Sequence, residues 1–466
     1  MRAYYDVPCA FPPGNDRAAV QAAVPGSKSI TNRALLLAAM ADGVSTLRGC
    51  MASEDAVHFL ECIRTLGFPV TEAPAAAEAG RETALNKDIT ITGFGGGIPK
   101  KQAEIYVGSA GTAARFLVAM LALSDGEYVV RSSEQMQKRP MQPLIDALRA
   151  AGAKVECLQE EGHFPMCIRG RARQDEEYSL LQPSGQGGEK GKDSFSVNID
   201  QSSQFLSALM IAAGSSRHPV EIRVEGSHGL SYVELTARMM RSFGVETEKR
   251  ETDGVLYYAL PRQNGYHAGE YPVEADMSAA AYFYALAALL GVSVTVAGVR
   301  REMLQGDVAF LKVLSRMGCS ILGGTEEDLT LQGPPGGKLK GGFTVDMSAF
   351  SDQALTLAAI APYADAPIGI TGIAHIRLQE CDRLKAIREN LSALGIRTEA
   401  LEDGVRIYPG AMHGAALQTY EDHRVAMAFA LCGLRTAGVR ILDPDCCRKT
   451  FAEYFEVLDG VVRQLG

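Results

Sequence analysis

The chain has 466 residues, of which 47% are hydrophobic and 22% charged, so it is long enough for two or three domains with large buried cores. Its formal net charge of −9 argues against a broad basic face, and so against nucleic acid or an anionic membrane as a partner. The ten cysteines lack C-x-x-C spacing, so we predict neither a zinc site nor a disulfide framework and expect the reducing cytoplasm. Any anion site must therefore be a local pocket.

Neither the N-terminus nor the longest apolar run predicts an export or membrane-spanning segment. Pro12, Pro13 and Asp16 interrupt the apolar N-terminal residues, so we expect no signal peptide. Gly291 divides the run 279–297 into an alanine-rich half and an alternating half, each too short to span a bilayer. This run is predicted to be a buried helix followed by a strand.

Residues 24–39 (VPGSKSITNRALLLAA) lead from a turn through hydroxyl groups and two cations into an apolar helix. The first N–H groups of a helix attract anions, and Lys28 and Arg33 add full positive charge there. The hydroxyl side chains available as helix caps are those of Ser27, Ser29 and Thr31. Taken alone, this stretch is more typical of an ordinary capped helix with solvated cations. Only its repetition elsewhere favours an anion site.

Two kinds of helix alternate along the chain, each six times. Amphipathic helices end in glycine, whose positive φ at the C′ position explains each stop. These glycines are Gly67, Gly152, Gly244, Gly318, Gly395 and Gly466. Polar clusters lead into helices that are rich in alanine and leucine. The clusters begin at Ser27, Ser109, Ser202, Asp276, Ser351 and Asp422.

The second kind of helix is apolar on nearly every face, so six such helices are predicted to form the domain interiors. Short β-branched segments between the helices predict strands. These segments are 89–92, 129–130, 220–224, 292–296, 329–331, 368–371 and 439–442. The whole pattern predicts an α/β repeat of about 70 to 90 residues in six copies, three to a domain.

Three stretches carry no helix or strand pattern. Residues 174–193, which contain PSGQGGEKGKD, predict an exposed insertion, and 73–87 is a milder case. Residues 93–97 (GFGGG) precede Pro99 and no Lys-Ser/Thr helix, so they predict a turn and not a P-loop. Because no G-x-G-x-x-G follows a predicted strand, no dinucleotide or nucleoside triphosphate site is predicted.

Charged residues at the helix starts and in loops favour an anion site. If the six buried helices direct their N-termini to one side, these residues converge between two domains. The cations in such positions are Lys28, Arg33, Arg139, Arg377, Arg383, Arg424, Arg448 and Lys449. The set predicts a ligand with more than one phosphate or carboxylate, which arginine binds in a bidentate manner. For any one of these residues alone, a solvated surface charge is the simpler interpretation.

The candidates for proton transfer are Asp352, Glu380, Lys28 and His423. Asp352 is equally typical of a helix N-cap, and Glu380 of a salt-bridge network with its neighbour Arg383. The eight histidines lack the spacing of a metal site, and no cysteine or serine has the partners of a nucleophile. We therefore predict neither a bound metal nor covalent catalysis.

Seven segments resemble, in the same order, the signature segments of the EPSP synthase family. They are 25–33 (PGSKSITNR), 108–112 (GSAGT), 138–141 (KRPM), 202–205 (SSQF), 379–384 (QECDRL), 421–424 (EDHR) and 449–451 (KTF). This family transfers the enolpyruvyl group of phosphoenolpyruvate to the 5-hydroxyl of shikimate 3-phosphate and releases phosphate, on the shikimate pathway to chorismate and the aromatic amino acids. The resemblance implies these two small-molecule substrates, no cofactor, and a cytoplasmic monomer.

The resemblance also implies an α/β fold of two domains, each with three βαβαββ repeats and buried parallel helices, and an active site in the interdomain cleft. The family's chain crosses between the domains twice, here near Gly26 and Tyr271. The domains would then comprise 26–270, and 1–25 together with 271–466. The six repeats seen directly in the sequence lead to the same architecture.

By the same resemblance, substrate-binding roles fall on matching positions of this sequence. Shikimate 3-phosphate would be held by Lys28, Ser29 and Arg33, and its phosphate by Ser202, Ser203 and Ser231. Gln204 would bridge the two ligands. The phosphoenolpyruvate subsite would comprise Lys28, Gly111, Arg139, Arg383, Arg424 and Lys449. Asp352 would accept the 5-hydroxyl proton, and Glu380 with Lys28 would move protons at the methylene carbon.

Three positions depart from the family pattern. Ser109 stands where the family usually has Asn, and His375 stands where Asn is frequent. Gln379 stands where a Lys usually helps to hold shikimate 3-phosphate, so we expect weaker substrate binding or a compensating role for Arg377.

Two alternatives remain open from the sequence. UDP-N-acetylglucosamine enolpyruvyl transferases resemble this fold and chemistry, but they usually use a loop cysteine as acid, and 137–143 contains none. A non-catalytic sensor of phosphorylated ligands would keep the cations and leave the carboxylates idle.

Overall fold

The structure, a computed structural model, describes residues 2–10, 18–75, 86–170, 193–216, 218–262 and 264–465. They form two compact units. The first unit contains the described residues up to Ser27 and from Glu274 onward, and the second contains those from Lys28 to Val273. Most of the predicted insertion at 174–193, the centre of the stretch 73–87, and Gly466 lie outside the described residues.

The described residues contain α-helices and strands in alternation. In chain order the strands are β1 (Tyr4–Asp6), β2 (Ala19–Ala22), β3 (Asp42–Met51), β4 (Val70–Pro74), β5 (Asn86–Phe94), β6 (Gln102–Tyr106), β7 (Glu127–Arg131), β8 (Lys154–Cys157), β9 (Met166–Arg169), β10 (Asp193–Asn198), β11 (Val220–Glu225), β12 (Glu248–Thr252), β13 (Val255–Leu260), β14 (Glu270–Pro272), β15 (Ser293–Val296), β16 (Ser320–Leu322), β17 (Thr330–Gln332), β18 (Phe343–Asp346), β19 (Ile368–Thr371), β20 (Thr398–Ala400), β21 (Val405–Ile407), β22 (Ala416–Leu417) and β23 (Arg440–Leu442). The helices are α1 (Lys28–Met40), α2 (Glu54–Thr65), α3 (Gly111–Ala122), α4 (Glu134–Gln137), α5 (Gln142–Ala150), α6 (Gln204–Ala213), α7 (Leu230–Ser242), α8 (Met277–Leu290), α9 (Phe310–Arg316), α10 (Ala354–Ile360), α11 (Arg383–Ala393), α12 (His423–Gly433) and α13 (Tyr454–Arg463).

Within the described residues, each unit contains three sheets, and each sheet contains one parallel strand pair. In the second unit the strand orders are β14-β3-β5-β4, β6-β7-β9-β8 and β10-β11-β13-β12. In the first unit they are β16-β17-β15-β2, β18-β19-β21-β20 and β1-β23-β22. The parallel pairs are β14 with β3, β6 with β7, β10 with β11, β15 with β2, β18 with β19, and β22 with β23. Since parallel strands need a crossover, four of these pairs are joined directly through a buried helix.

The six predicted buried helices are confirmed. Nearly every residue of α1, α3, α6, α8, α10 and α12 is buried. The amphipathic helices α2, α5, α7, α9 and α11 end before glycines at C′, as predicted. These glycines, Gly67, Gly152, Gly244, Gly318 and Gly395, have φ between +85° and +104°. A residue with a Cβ atom would be strained there, so these glycines end the helices.

Each of the seven β-branched segments lies in a strand to within one residue, and these strands are β5, β7, β11, β15, β17, β19 and β23. The apolar run 279–297 separates at Gly291 into α8 and β15, as predicted. Of the helices in the described ranges, none is long and apolar enough to cross a membrane.

Replacing Leu286 on α8 by alanine is expected to lower the free energy of unfolding by about 2–5 kcal/mol, because its fully buried side chain would leave a cavity. Leu322→Ala is the matched control, since Leu322 is 49% exposed and should change unfolding by less than about 0.5 kcal/mol. Urea unfolding followed by circular dichroism measures both. Equal unfolding midpoints for the two variants would contradict the burial of α8.

Candidate functional site

Lys28 is the first residue of α1, and its ammonium group lies in an ion pair. Nζ is 3.5 Å from Oδ2 of Asp55, whose carboxylate is almost fully buried. Asp55 lies in the first turn of α2, which begins after the N-cap Ser53. The pair therefore holds the ammonium group at the start of a buried helix, where the backbone N–H groups also favour an anion.

The hydroxyl groups near this helix start were predicted to cap it, and they do not. Because α1 begins at Lys28, Ser29 and Thr31 lie inside the helix. Thr31 Oγ1 accepts a hydrogen bond from the N–H of Met51 at 3.1 Å, which anchors α1 to the end of β3. Among the described residues, Ser27 Oγ has no hydrogen-bond partner. The capping hypothesis for Thr31 is wrong, because its hydroxyl serves tertiary packing.

Arg33 is buried and connects α1 to α7. Its guanidinium group donates to Thr236 Oγ1 at 2.8 Å, to the carbonyl of Ser29 at 2.9 Å and to the carbonyl of Tyr232 at 3.2 Å. It also lies 5.4 Å from the ring centroid of Phe116 on α3. Burial lowers the pKa of Arg33 to about 10, so the side chain remains charged at neutral pH. Arg33 thereby fixes the first turn of α7.

Gly111 begins α3 and lies directly against Arg139. A Cβ atom at residue 111 would be 2.5 Å from Nη1 of Arg139 and 2.8 Å from Nη1 of Arg115. Arg115 donates to the carbonyl of Gly111 at 3.1 Å and to that of Pro140 at 3.4 Å. Because Pro140 follows Arg139, Arg115 ties the loop that carries Arg139 to the first turn of α3. Glycine leaves the room that the two guanidinium groups need.

The starts of α3, α6 and α7 contact one another through short polar side chains. Gln204, the first residue of α6, donates from Nε2 to Thr112 Oγ1 at 3.3 Å. Ser202 Oγ accepts the N–H of Gln204 at 3.3 Å. Ser203 occupies the N-cap position, and a Cβ atom at Gly229 would lie 2.6 Å from its Oγ. Gly229 is the N-cap of α7, so the hydroxyls before α6 lie beside the helix start that carries Ser231.

In the first unit, Asp352 holds two arginine side chains. Oδ1 accepts a hydrogen bond from Arg383 Nη1 at 3.1 Å, and Oδ2 is 2.8 Å from Arg424 Nη2. Asp352 lies within the 3₁₀ helix Ser351–Gln353, whose N-cap is Phe350, so the hypothesis that Asp352 is an N-cap is wrong. The two guanidinium groups favour its ionised form.

A second aspartate, Asp422, binds Arg383 of this cluster. It is fully buried and accepts a hydrogen bond from Arg383 Nε at 2.8 Å. It also caps α12 by accepting the N–H of Arg424 at 2.9 Å. Gln379 Oε1 accepts a further hydrogen bond from Arg383. Burial lowers the pKa of Arg383, but the charges of Asp422 and Asp352 outweigh burial, so this pKa lies above its ordinary value.

Glu380 and Lys449 form another buried ion pair in the first unit. Lys449 Nζ is 2.5 Å from Glu380 Oε2, and the two side chains are only 7% and 10% exposed. Lys449 ends the 3₁₀ helix Pro444–Lys449. Since both charges are buried, removal of one would leave the other uncompensated.

Three further residues of the sequence-based set make local contacts. Arg448 pairs with Asp445 at 3.2 Å and is exposed. Asp382 is the N-cap of α11. His375 Nε2 lies 2.9 Å from Ser351 Oγ, beside the segment that carries Asp352.

The predicted site residues are divided between the two units. The second unit contains Lys28, Ser29, Arg33, Gly111, Arg139, Ser202, Ser203, Gln204 and Ser231. The first unit contains Asp352, Gln379, Glu380, Arg383, Arg424 and Lys449. Within the ranges that the structure describes, no three or more His, Cys, Asp or Glu side chains are grouped as a metal site would require.

Sequence reasoning missed two partners that hold these residues in place, Asp55 and Thr236, and it named Asp422 only as the start of a polar cluster. Thr236 lies 203 residues from Arg33, and no sequence signal connects them. Asp422 was visible as part of the segment 421–424, where a carboxylate directly before a buried helix is a signal for a cap.

The fold is also seen in a solved structure. The chain superimposes on EPSP synthase from Acinetobacter baumannii with a TM-score of 0.71 over 97% of each chain, at 23% sequence identity. The chain therefore shares the six-repeat α/β fold of that structure.

Sequence comparison is more specific. The model of the family described as EPSP synthase (3-phosphoshikimate 1-carboxyvinyltransferase) matches residues 14–458. A 3-phosphoshikimate 1-carboxyvinyltransferase of Trichormus variabilis is 41% identical over 434 residues, 93% of this chain and 94% of the relative. One of Cellvibrio japonicus is 38% identical over 457 residues, 97% of this chain and 98% of the relative.

The chain belongs to the EPSP synthase family. Enzymes of this family transfer the enolpyruvyl group from phosphoenolpyruvate to shikimate 3-phosphate in the shikimate pathway. The function and enzyme class predicted from the sequence are confirmed, and the alternative of a non-enzymatic scaffold loses its support.

Proposed function

We propose that the two groups of charged residues in this chain divide the work of enolpyruvyl transfer to the 5-hydroxyl of shikimate 3-phosphate. The observation that carries the proposal is Asp352, a carboxylate held between the guanidinium groups of Arg383 and Arg424. A base in this position is kept ionised, and the same cations attract the anionic second substrate.

The second unit supplies groups for shikimate 3-phosphate. Hydroxyls before α6 and at the start of α7, from Ser202, Ser203 and Ser231, suit a phosphate because helix N-termini favour anions. Lys28 and Ser29 would contact the same substrate at the start of α1. Arg33 is enclosed by protein, so its contribution to this substrate passes through the first turn of α7 that it fixes. Gln204 would bridge the two ligands.

Phosphoenolpyruvate carries a carboxylate and a phosphate, and the proposed subsite offers several cations. In this proposal Gly111, Arg139, Arg383, Arg424 and Lys449 would hold phosphoenolpyruvate. Gln379 replaces the lysine usual in the family with a neutral amide. The side-chain carbonyl of Gln379 accepts a hydrogen bond from Arg383. We therefore propose that Gln379 orients Arg383 in addition to contacting the substrate.

The chemistry requires proton transfers at an oxygen and at a carbon. Asp352 would accept the proton of the 5-hydroxyl as the oxygen bonds to C2 of phosphoenolpyruvate. The ammonium group of Lys28 would deliver a proton to the methylene carbon, which gives a tetrahedral intermediate. When the bond from C2 to the phosphate oxygen breaks and phosphate leaves, the carboxylate of Glu380 would take a proton from the methyl group and the double bond re-forms. Positioned cations lower the barrier by stabilising the developing charge.

Release of inorganic phosphate with both substrates tests this proposal. The wild-type chain should release one phosphate for each enolpyruvyl ether formed, as measured by coupled phosphate detection and mass spectrometry. UDP-N-acetylglucosamine as acceptor is the control and should give none. The proposed acceptor is wrong if phosphoenolpyruvate releases phosphate with UDP-N-acetylglucosamine but not with shikimate 3-phosphate, or if it releases phosphate with neither acceptor present.

Compartment and assembly complete the proposal. All ten cysteines are unpaired, which fits the reducing cytoplasm. Exposed large apolar side chains of the described residues are spread over both units, for example Phe94, Tyr106, Leu322 and Leu378. We propose a monomer, and light scattering measures the oligomeric state.

Gly111→Ala is expected to raise the KM for phosphoenolpyruvate by about tenfold or more, because its methyl group would displace the guanidinium of Arg139. The KM for shikimate 3-phosphate should change much less. Gly269→Ala is the matched control, since a Cβ atom there meets Tyr271 only at 3.5 Å. Steady-state kinetics with each substrate varied separately will show the difference. A similar rise in both KM values would contradict the assignment of Gly111 and Arg139 to one subsite.

A further inference from the structure

Asp307 is a buried acid beside the catalytic group of the first unit. It lies in the 3₁₀ helix Gly306–Ala309 and is only 4% exposed. Oδ1 accepts hydrogen bonds from Ser278 Oγ at 3.1 Å and from Gln353 Nε2 at 2.9 Å. Gln353 directly follows Asp352, is fully buried, and accepts a hydrogen bond from Thr356 Oγ1 at 3.1 Å. Asp307 therefore fixes the backbone segment that presents Asp352.

The charged groups that face Asp307 come from three elements. They are Asp352 in the 3₁₀ helix Ser351–Gln353, Arg424 on α12 and Asp276, the N-cap of α8. Burial is the main cause that raises the pKa of Asp307 from 3.8 to about 6, and the charge of Asp352 raises it further, whereas Arg424 lowers it. At neutral pH the carboxylates of Asp307 and Asp352 are thus both ionised in one buried region, where they repel each other.

We propose that Asp307 is a positioning residue for the enolpyruvyl transfer, which orients Asp352 through Gln353 and, by its negative charge, makes Asp352 a stronger base. This inference rests on the proposed role of Asp352 as acceptor of the 5-hydroxyl proton. Without the neighbouring charge, Arg383 and Arg424 would hold Asp352 as a weak base. A second carboxylate favours proton uptake at Asp352 without contact with the substrate.

The dependence of stability on pH shows whether Asp307 is ionised in the folded protein, and the dependence of kcat on pH shows whether its charge acts on Asp352. A carboxyl group whose folded pKa is raised stabilises the fold below its unfolded pKa, and this contribution is lost as the pH rises through the folded value. Ionised Asp307 therefore destabilises the protein above about pH 6. Asparagine can accept the same two hydrogen bonds without the charge. Asp307→Asn should then melt at the same or a higher temperature at pH 8, and lose this advantage at pH 5.

The experiment compares kcat against pH for wild type and Asp307→Asn, with melting curves at pH 5 and pH 8. We expect Asp307→Asn to lower the plateau of kcat by about three- to tenfold and to shift the acid limb of the profile to lower pH. KM for both substrates should stay within about twofold. Ser278→Ala, which removes one hydrogen bond to Asp307 and keeps the charge, should lower kcat less and leave the acid limb in place.

Asp328→Asn is the matched control in the same unit, because Asp328 pairs with Arg300 away from this region and should leave the profile unchanged. Three outcomes would overturn the inference: an unchanged kcat profile for Asp307→Asn, a lower melting temperature at pH 8 together with lost activity, or an equal shift in Asp328→Asn. If wild type releases no phosphate from the two substrates, the proposed function itself fails. An active wild type with an unaltered Asp307→Asn variant refutes only the role of Asp307.

Discussion

Lys28→Met is expected to reduce turnover by about a thousandfold or more while the fold stays intact. In the proposed mechanism Lys28 would combine substrate binding with proton transfer at the methylene carbon, and general acid–base catalysis alone contributes about 10²–10⁴-fold. Methionine preserves most of the packing of the side chain and removes the charge. Phosphate release under saturating substrates measures the loss, and circular dichroism verifies the fold.

Two controls separate catalysis from stability in this experiment. Lys101→Met removes a lysine of the same unit that pairs with Asp125 at the surface, and it should retain full turnover. Lys28→Met also leaves Asp55 buried without its partner, which lowers stability. The double variant with Asp55→Asn should recover stability and remain inactive. If Lys28→Met keeps full activity and only melts at a lower temperature, residues 24–39 are an ordinary capped helix start without a catalytic role.

Asp352→Ala and Glu380→Ala are each expected to lower kcat by about 10²–10⁴-fold without loss of ligand binding. Removal of Asp352 frees Arg383 and Arg424 for an anion, so phosphoenolpyruvate should bind at least as tightly as to wild type. Removal of Glu380 likewise frees the buried ammonium of Lys449. Calorimetric titration and single-turnover phosphate release measure binding and chemistry separately.

Asp365→Asn and Glu399→Gln serve as controls for the two carboxylates. Asp365 accepts the N–H of Gly341, and Glu399 accepts from Tyr408, both at exposed positions. Neither change should alter kcat. If the alanine variants of Asp352 and Glu380 retain wild-type turnover, their proposed roles in proton transfer are incorrect.

Much of the fold follows from local sequence because its causes are local. A glycine at C′ ends a helix by its own φ preference, and Gly67 and Gly152 do so without help from distant residues. A helix such as α8 with alanine and leucine on every face must be buried, whatever lies around it. The order of strands within each sheet depends on longer connections, and the repeat pattern did not specify it.

The site was predictable to a smaller extent. The sequence identified the residues that carry charge, because motifs group them at helix starts. It did not identify what holds them, since Arg33 and Thr236 are brought together by tertiary structure alone. It also left Asp352 open between a cap and a base. The choice depends on Arg424, which lies in another helix.

The route of the chain between the units has a consequence for how the molecule can be divided. The N–H of Ser27 donates to the carbonyl of Glu274 at 2.7 Å, and Gly26 pairs with Ala275. The two places where the chain leaves and re-enters the first unit are thus neighbours in space. The described residues from Lys28 to Val273 are thus an insertion between Ser27 and Glu274 of the first unit. This inserted unit contains all strands of its three sheets, including β14. A short peptide that joins Ser27 to Glu274 would make the first unit one continuous chain. Each of the two units can then be encoded as a separate polypeptide.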